Sequence, residues 1–284
     1  MTAAVVGRAA GVYHQAHNPE PAMPKRPRSK HRPKAPPKPA KEAARRVSRA
    51  RPARQEPIVL YYWPTPNGWK ISVMLEECAL PYTVKPVNIG KGEQFDAAFE
   101  AVSPNNRIPA ILDPEGPGGK PISVFESGAI LEYLGRKTGK FYPRDERKRV
   151  QVQEWTYWQM GNLGPLAGQA HHFRLYAPEK IPYAIERYET QVRRLYTTMD
   201  KRLTARDYLA GEYSIADMAS WAWARRWERQ GQNIEEFPNV KRWLAAIEAR
   251  PAVKSALAIR VEEASAVNMQ DPKARHFLFA HPGR

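Results

Sequence analysis

The sequence holds one cysteine, Cys78, in 284 residues. A single cysteine excludes an internal disulfide and a four-cysteine zinc site. Nothing else in the composition indicates an oxidising compartment, so we expect a cytoplasmic protein. Cys78 falls on the apolar stripe of a predicted helix, where a buried structural thiol is favoured over a reactive one.

Long apolar runs are also missing. No segment of about 18 consecutive apolar residues occurs, which excludes a transmembrane helix, and we expect no membrane partner. Residues 1–55 contain no Leu, Ile, Phe or Trp, so this segment cannot bury enough apolar surface to offset the entropy lost on folding. We therefore predict that residues 1–55 are a disordered basic tail, rich in Pro, Arg and Lys.

The charge of the chain is concentrated in this predicted tail. Residues 1–55 carry 14 Lys and Arg against two Glu, and they supply most of the formal net charge of +16. The tail lacks the apolar core of a secretory signal. A solvated extension is the favoured interpretation, and Met23 is an alternative start. The other hypothesis is a tether to nucleic acid through phosphate contacts, which is not expected of the rest of the chain.

Residues 56–141 have the pattern of a small α/β domain. A strand is predicted to lead into a helix at Pro66, and the apolar residues of this helix follow the i, i+3, i+4, i+7 spacing of a buried face. A Gly/Pro turn at 114–119 predicts that two later strands pair with each other. The predicted order is strand, helix, strand, short helix, strand, strand, helix, with strands at 57–63, 82–89, 107–113 and 120–126.

Strand signals stop beyond this point, and residues 142–284 predict an all-α domain. Ser214 and Asp217 have the spacing of a capping box, and Tyr213 and Met218 have that of a hydrophobic staple at the same helix start. We interpret these four residues as structural. A bulky aromatic core is predicted from Trp221, Trp223, Trp227 and Trp243.

The junction of the first strand and helix reads WPTPNGWK, at residues 63–70. Pro66 suits the first helical position and Thr65 the N-cap, so that free N–H groups and the positive end of the helix face outward. An anion such as a thiolate fits there, and the Thr65 hydroxyl and the Asn67 amide could both donate hydrogen bonds to it. With no cysteine at the junction, the thiol would come from another molecule. The alternative is that Thr65 only caps the helix and Asn67 only fills a turn.

Two further segments carry groups that could bind a peptide. A cis bond before Pro109 would leave the backbone of Ile108 unpaired by the sheet and free to bind an extended peptide. An ordinary trans proline is the alternative. Glu126 and Ser127 open the next predicted helix, where Ser and N–H groups can take a carboxylate and Glu can take an ammonium. A simple helix cap is the alternative here.

These segments together resemble the glutathione transferase superfamily. The thioredoxin-like half is matched by TPNG, GEQF, SPNNRIPAI and ESGAILEYL, and the α-helical half by SIAD at 214–217. The segments GNLGPLAGQAHHF and IPYAIERY are similar to those of the bacterial nu class, the disulfide-bond oxidoreductase type. The resemblance covers residues 57–260 and does not include the basic tail. It implies a thioredoxin-like α/β domain followed by a helical domain.

The resemblance also implies a set of site residues. Thr65 and Asn67 would lie next to the sulfur of glutathione, as the catalytic pair. The remaining glutathione-binding residues are implied by position: Gln94 for the glycyl end, Ile108 with a cis Pro109 for the cysteinyl unit, Glu126 and Ser127 for the γ-glutamyl group, and Arg187, with Lys70 as a weaker candidate, for the carboxylates. Neighbouring Tyr61 and Tyr62 are taken as packing and site wall.

The function implied by the resemblance is reduction of disulfides by bound glutathione, without an enzyme cysteine. Glutathione is then the co-substrate, small disulfides and glutathione disulfide are the partners, and a homodimer is expected. A conjugating transferase or a peroxidase is the nearest alternative, and a non-catalytic binding protein tethered by its tail is another. No metal is expected, because His171 and His172 have no further ligands at suitable spacing.

Overall fold

The structure is a computed structural model, and it describes residues 56–261 and 271–279, which lie in one compact unit. The predicted disordered tail and its nucleic-acid hypothesis fall on residues 1–55 and so lie outside the described residues. Among the described helices, none has an apolar stretch that is long enough to cross a membrane.

The first half of the fold is a four-stranded mixed sheet. Its strands are β1 Ile58–Tyr62, β2 Tyr82–Pro86, β3 Ala110–Asp113 and β4 Ile122–Phe125. They lie in the order β2-β1-β3-β4. Strand β1 pairs in parallel with β2 and antiparallel with β3, which pairs antiparallel with β4. Pro109 has no N–H to offer a ladder, and β3 begins only after it.

Helix α1, Pro66–Cys78, lies at the centre of the molecule. Its predicted apolar stripe is buried, from Ile71 through Met74 to Cys78. The helix contacts α3, Ser127–Thr138, on one side, and it also contacts α7, Ile215–Ala224, and α9, Pro251–Leu257. The helical half therefore packs against α1, and Trp223 of α7 reaches Asn67 in the first turn of α1. A short helix α2, Ala97–Glu100, precedes β3.

The second half of the described chain is helical. One long helical segment runs from α4, Glu146–Trp158, through α5, Gly164–His171, with a π-helical turn after each, at Gln159–Leu163 and His172–Tyr176. Such turns re-aim side chains and are frequent at functional sites. The remaining helices are α6 Pro182–Leu203, α8 Pro238–Glu248 and α10 Pro272–Phe279. The predicted fold class, a thioredoxin-like domain followed by a helical domain, is confirmed. The domain boundary at 141/142 stays a prediction and falls between α3 and α4.

The predicted capping box at the start of α7 is present. One oxygen of Asp217 accepts from the Ser214 N–H at 3.1 Å, and the other accepts from the Leu209 N–H and the Trp243 indole, both at 2.9 Å. The carboxyl is fully buried, and burial raises its pKa to about 6. Asp217 thus joins α7 to the preceding loop and to α8, a structural role in line with the prediction.

Candidate functional site

Thr65 is the N-cap of α1, as predicted. Its backbone is extended, and its Oγ1 accepts a hydrogen bond from the Gly68 N–H at 3.3 Å. The hydroxyl proton therefore remains available to donate to a ligand. Gly68 permits this close turn, because a Cβ there would lie 2.3 Å from the Trp63 carbonyl oxygen. The strand end and helix start thus meet with little space between them.

Asn67 lies in the first turn of α1 and is held from the helical half. Its Oδ1 accepts a hydrogen bond from the Trp223 indole Nε1 at 3.0 Å, a contact across 156 residues of sequence. The carbonyl end of the amide is therefore occupied, and the NH2 end is left to donate. Within the described residues, the Asn67 backbone N–H bonds to no other main-chain group. The start of α1 consequently presents the Thr65 hydroxyl, the Asn67 NH2 group and the Asn67 N–H as donors to a ligand.

The Ile108–Pro109 bond is cis, as the resemblance implied. Among the described residues, neither the N–H nor the C=O of Ile108 bonds to another main-chain group. Its neighbour Ser103 donates instead to the Arg107 carbonyl at 2.8 Å, which ties the loop to itself. The backbone of Ile108, in the loop before β3, is thus open in the form that an extended peptide can pair with.

Glu126 and Ser127 join β4 to α3. Glu126 has a φ of +66° and a ψ of 118°, a conformation that a residue with a side chain rarely adopts. Strain of this kind is often found at ligand sites, where the surrounding structure enforces it. Ser127 is the first residue of α3, so its hydroxyl and the free N–H groups of that helix start face the same region as Asn67.

Lys70 is buried beneath this region. Its Nζ donates to Gln159 Oε1 at 2.9 Å and to Ser127 Oγ at 3.2 Å. Burial lowers the pKa of this lysine to about 7, and the nearby Glu126 carboxylate raises it in part. Within the described residues, the Nε2 atom of Gln159 is buried without a hydrogen-bond partner. Lys70 therefore fixes the Ser127 hydroxyl by a hydrogen bond and links α3 to the π-helical turn after α4.

Three cavities meet at Asn67 and Arg107, which line all of them. The first, of about 770 Å³, includes Lys70, Ser127 and Gln159. The second, of about 260 Å³, includes the cis-proline loop and Glu126. The third, of about 560 Å³, contains Thr65 and has an apolar wall formed by Trp63, Pro64, Ile89, Leu278 and Phe279. A ligand at Asn67 can therefore extend in three directions.

Gln94 lines the third cavity and is covered by α10. Its Nε2 donates to the Phe277 carbonyl at 3.1 Å, and the Phe277 ring packs on Gly92. Phe279 lies against His172, with ring centroids 4.7 Å apart, and lines both larger cavities. The C-terminal helix thus forms part of the site wall beside the residue that was predicted to hold the glycyl end.

Among the predicted catalytic and glutathione-binding residues, Arg187 alone lines none of the three cavities. It is exposed on α6, so its role stays a prediction. His171 lines the third cavity beside Trp223, and burial lowers its pKa to about 4. No group of three or more potential metal ligands occurs in the part of the chain that the structure describes.

The only thiol of the chain is remote from the cavities. Cys78 is the last residue of α1, is buried, and contacts Thr138 and Met74. Burial raises the pKa of this thiol, which favours its inert form. Tyr61 and Tyr62 are buried in β1 and line none of the three cavities, so their packing role is clear and the predicted wall role is not supported.

Comparison with known proteins matches this architecture. The glutathione S-transferase N-terminal domain model matches residues 65–137, and the C-terminal domain model matches residues 164–251. The disulfide-bond oxidoreductase YfcG of Escherichia coli is 50% identical over 202 residues, which cover 70% of this chain and 94% of YfcG. The chain belongs to the glutathione S-transferase family. The resemblance to the glutathione transferase superfamily, inferred from the sequence motifs, is thereby confirmed.

Other members of the glutathione S-transferase family are also similar. The disulfide-bond oxidoreductase YghU of Escherichia coli is 40% identical over 217 residues, covering 72% of this chain and 75% of YghU. A glutathione transferase of Pseudomonas putida, solved with one glutathione disulfide per subunit, has a TM-score of 0.70 and 41% identity, with 72% of this chain and 93% of that chain covered. A glutathione transferase of Burkholderia graminis, solved with two glutathione molecules per subunit, has a TM-score of 0.69 and 43% identity, with 71% of this chain and 88% of that chain covered.

Sequence reasoning missed three residues of this glutathione S-transferase site. Arg107 lines all three cavities at the site and lies inside the SPNNRIPAI motif, so its charge beside the cis proline was a usable signal. Trp223 was assigned to the aromatic core, but it is only half-buried and bonds to Asn67. Gln159 gave no signal, because its contact with Lys70 depends on a π-helical turn that no local pattern predicts.

Proposed function

We propose that this protein is a glutathione-dependent disulfide-bond oxidoreductase that uses the thiolate of bound glutathione and no cysteine of its own. The observation that carries the proposal is the hydrogen bonding and position of the Asn67 side chain. Its carbonyl oxygen is held by Trp223, its NH2 group has no partner among the described residues, and it lies where the three cavities meet. The relatives YfcG and YghU, which are named disulfide-bond oxidoreductases, support the same activity.

The donors at the start of α1 suffice to ionise a thiol. A free thiol has a pKa of about 8.5, so only a few per cent of it is thiolate near pH 7. A hydrogen bond to a charged group contributes roughly 1.5–3 kcal/mol, and one pKa unit corresponds to about 1.4 kcal/mol. One or two bonds from Thr65 and Asn67 would therefore bring the thiol of glutathione to half ionisation or beyond. The positive end of α1 acts in the same direction.

The reaction then proceeds in two exchanges. The bound thiolate attacks one sulfur of the disulfide substrate, a new sulfur–sulfur bond to glutathione forms, and the old bond breaks to release a thiolate that takes up a proton. A second glutathione thiolate attacks the mixed disulfide at the glutathione sulfur. Its products are glutathione disulfide and the second reduced thiol. Two glutathione molecules supply the two electrons, so no further reductant is needed.

We assign each part of the reactants to one of the three cavities. We assign the cysteinyl and γ-glutamyl units of the first glutathione to the cavity with Ile108, Pro109, Glu126 and Ser127, and its glycyl end to Gln94. The disulfide substrate or the second glutathione then occupies one of the two larger cavities. Solved relatives that hold glutathione disulfide or two glutathione molecules per subunit support a site of this size.

A rate measurement with Asn67→Ala tests the proposal. We expect the unmodified protein to reduce a small model disulfide with glutathione and to release two thiols per glutathione disulfide formed. Asn67→Ala removes a donor to the thiolate, and we expect the rate to fall at least tenfold. Asn162→Ala serves as a control, because Asn162 is half-buried and lines none of the three cavities. Glutathione binding without any disulfide reduction would contradict the proposal.

A conjugating transferase is the second candidate, and the apolar wall of the third cavity favours it. Trp63, Leu278 and Phe279 line this wall close to Thr65, where an apolar electrophile would meet the same thiolate. The two functions differ in their product. Thioether formation with a chlorodinitrobenzene probe at a rate above that of disulfide reduction would favour the transferase.

We also assign the chain to the nu class and propose a cytoplasmic homodimer. The class rests on the motifs and on the identity to YfcG. The exposed residues Val150 and Tyr157 lie seven apart on α4, and Phe125 at the end of β4 is 38% exposed, so an apolar surface is available for a second copy. A reducing compartment supplies the glutathione that the reaction consumes. Sedimentation of the purified protein tests the dimer.

A further inference from the structure

The orientation of the Asn67 side chain is set by the helical half of the protein. Helix α7 packs on α1 and brings the Trp223 indole Nε1 to 3.0 Å from Asn67 Oδ1. An indole N–H can only donate, whereas an asparagine amide has one accepting and one donating end. The oxygen must therefore face Trp223. The NH2 group is turned away from the indole, toward the cavities.

Trp223 is itself fixed by its surroundings. Its main-chain carbonyl accepts a hydrogen bond from Gln230 Nε2 at 2.7 Å. Its ring lies beside His171, with centroids 6.1 Å apart, and against α5 at Gly168, where a Cβ would be 3.4 Å from the indole. The indole is therefore a rigid donor, because packing on two sides limits its rotation.

We propose that Trp223 is a positioning residue for the thiolate site: its indole N–H holds the Asn67 amide with the NH2 group directed at the sulfur of glutathione. Without this bond the amide can rotate by half a turn and present its oxygen, which would repel a thiolate. The inference rests on the proposed function only in that glutathione binds as a thiolate next to Asn67. It does not depend on which electrophile the thiolate attacks.

Several charged groups lie at or near the same cavities, and their titration must be distinguished from that of the thiol. These are Lys70 on α1, Arg107 before β3, Glu126 before α3, His171 and His172 at the end of α5, and Arg226 and Arg229 after α7. Arg275 on α10 lines none of the three cavities, but its charge acts on His172. Lys70 titrates near pH 7 and would affect a rate profile. We therefore choose the ultraviolet absorbance of the bound thiolate near 240 nm, which these groups do not share.

The test compares Trp223→Phe with Trp221→Phe. The first keeps an aromatic ring and removes the N–H that Asn67 accepts. The control removes an indole N–H two residues away on α7 that, among the described residues, is buried without any partner. We expect Trp223→Phe to raise the pKa of the bound thiol by about one unit, as loss of one oriented hydrogen bond would. Trp221→Phe should leave that pKa unchanged in the folded protein.

A double variant decides whether Trp223 acts through Asn67. Trp223→Phe combined with Asn67→Ala should behave as Asn67→Ala alone, because the amide that Trp223 orients is already gone. Additive shifts would overturn the proposal, and so would an unchanged thiol pKa in a folded Trp223→Phe protein. If that variant does not fold, the indole proton resonance of Trp223 is measured in Asn67→Ala. An unaltered resonance would then overturn the proposal.

Failure of the Trp223 proposal and failure of the proposed function give different experimental results. Thiolate absorbance requires only bound glutathione, so the shift on Trp223→Phe can be observed in a protein that reduces no disulfide. That result would contradict the oxidoreductase activity and support the role of Trp223. Disulfide reduction together with an unchanged thiol pKa in Trp223→Phe would support the oxidoreductase activity and contradict the role of Trp223.

Discussion

The side-chain nitrogen of Lys70 lies 2.9 Å from Oε1 of Gln159, and the two residues come from the two halves of the fold. Lys70 is 2% exposed. Its other contacts are the Ser127 hydroxyl and the Met160 sulfur, and neither is charged. Burial therefore lowers the pKa of Lys70 to about 7, so that its proton is shed in the folded protein at a pH where the unfolded chain keeps it.

We predict that this lysine makes the free energy of unfolding depend on pH. Between about pH 7 and pH 10 the unfolded chain binds a proton at Lys70 and the folded protein does not, so stability rises with pH in this window. Relative to Lys70→Met, the unfolding free energy of the unmodified protein should gain about 1 kcal/mol per pH unit. Urea unfolding at pH 7, 8 and 9 measures the difference.

The control for this experiment is Lys254→Met, which removes an exposed lysine on α9. The unfolding free energy of Lys254→Met should change with pH by the same amount as that of the unmodified protein. If the unfolding free energy of Lys70→Met also changes with pH by the same amount as that of the unmodified protein, then Lys70 keeps its proton in the folded state, contrary to the prediction.

We predict that Asp217→Ala is strongly destabilising. The substitution leaves the Ser214 and Leu209 N–H groups and the Trp243 indole buried without their acceptor. Each unsatisfied donor costs roughly 1–3 kcal/mol, so the total loss should exceed about 3 kcal/mol. Asp207→Ala is the matched control, because Asp207 forms an exposed ion pair with Arg242 and should lose less than about 1 kcal/mol. Similar unfolding midpoints for the two variants would refute this account of Asp217.

Much of the fold could be predicted because its signals are local. Thr65 and Pro66 specify a helix start by their own chemistry, and Ser214 with Asp217 specify another. The motifs around Ile108 and Glu126 likewise lie within single loops, so their order along the chain pointed to the site. Such features need no knowledge of how distant segments pack.

The unpredicted part of the site depends on contacts between distant segments. Trp223 is 156 residues from Asn67 and has the same helical pattern as its buried neighbour Trp221. Gln159 reaches Lys70 across 89 residues through a π-helical turn. Helix α10 covers Gln94 from 183 residues away. The sequence predicts only that these segments belong to an all-α domain, and the packing shows which of them face the site.

We predict that Phe279→Ala weakens substrate binding more than catalysis. Phe279 lines both larger cavities and contacts His172 and Tyr176, whereas the thiolate donors lie on α1. Loss of this apolar wall should raise KM for a small aromatic disulfide several-fold and leave kcat within about twofold. Steady-state kinetics with varied disulfide at saturating glutathione measure both constants. A large fall in kcat at constant KM would instead place Phe279 in the chemical step.

The central claim is that the reacting thiol belongs to glutathione, and the thiol-free variant Cys78→Ser tests it most directly. Cys78 is buried at the end of α1 and lines none of the three cavities. The measurement is the rate of glutathione-dependent reduction of a small model disulfide by Cys78→Ser and by the unmodified protein. We predict equal rates within about twofold for a folded variant. Loss of disulfide reduction in a folded Cys78→Ser protein that still binds glutathione would contradict the claim, because the enzyme would then need its own thiol.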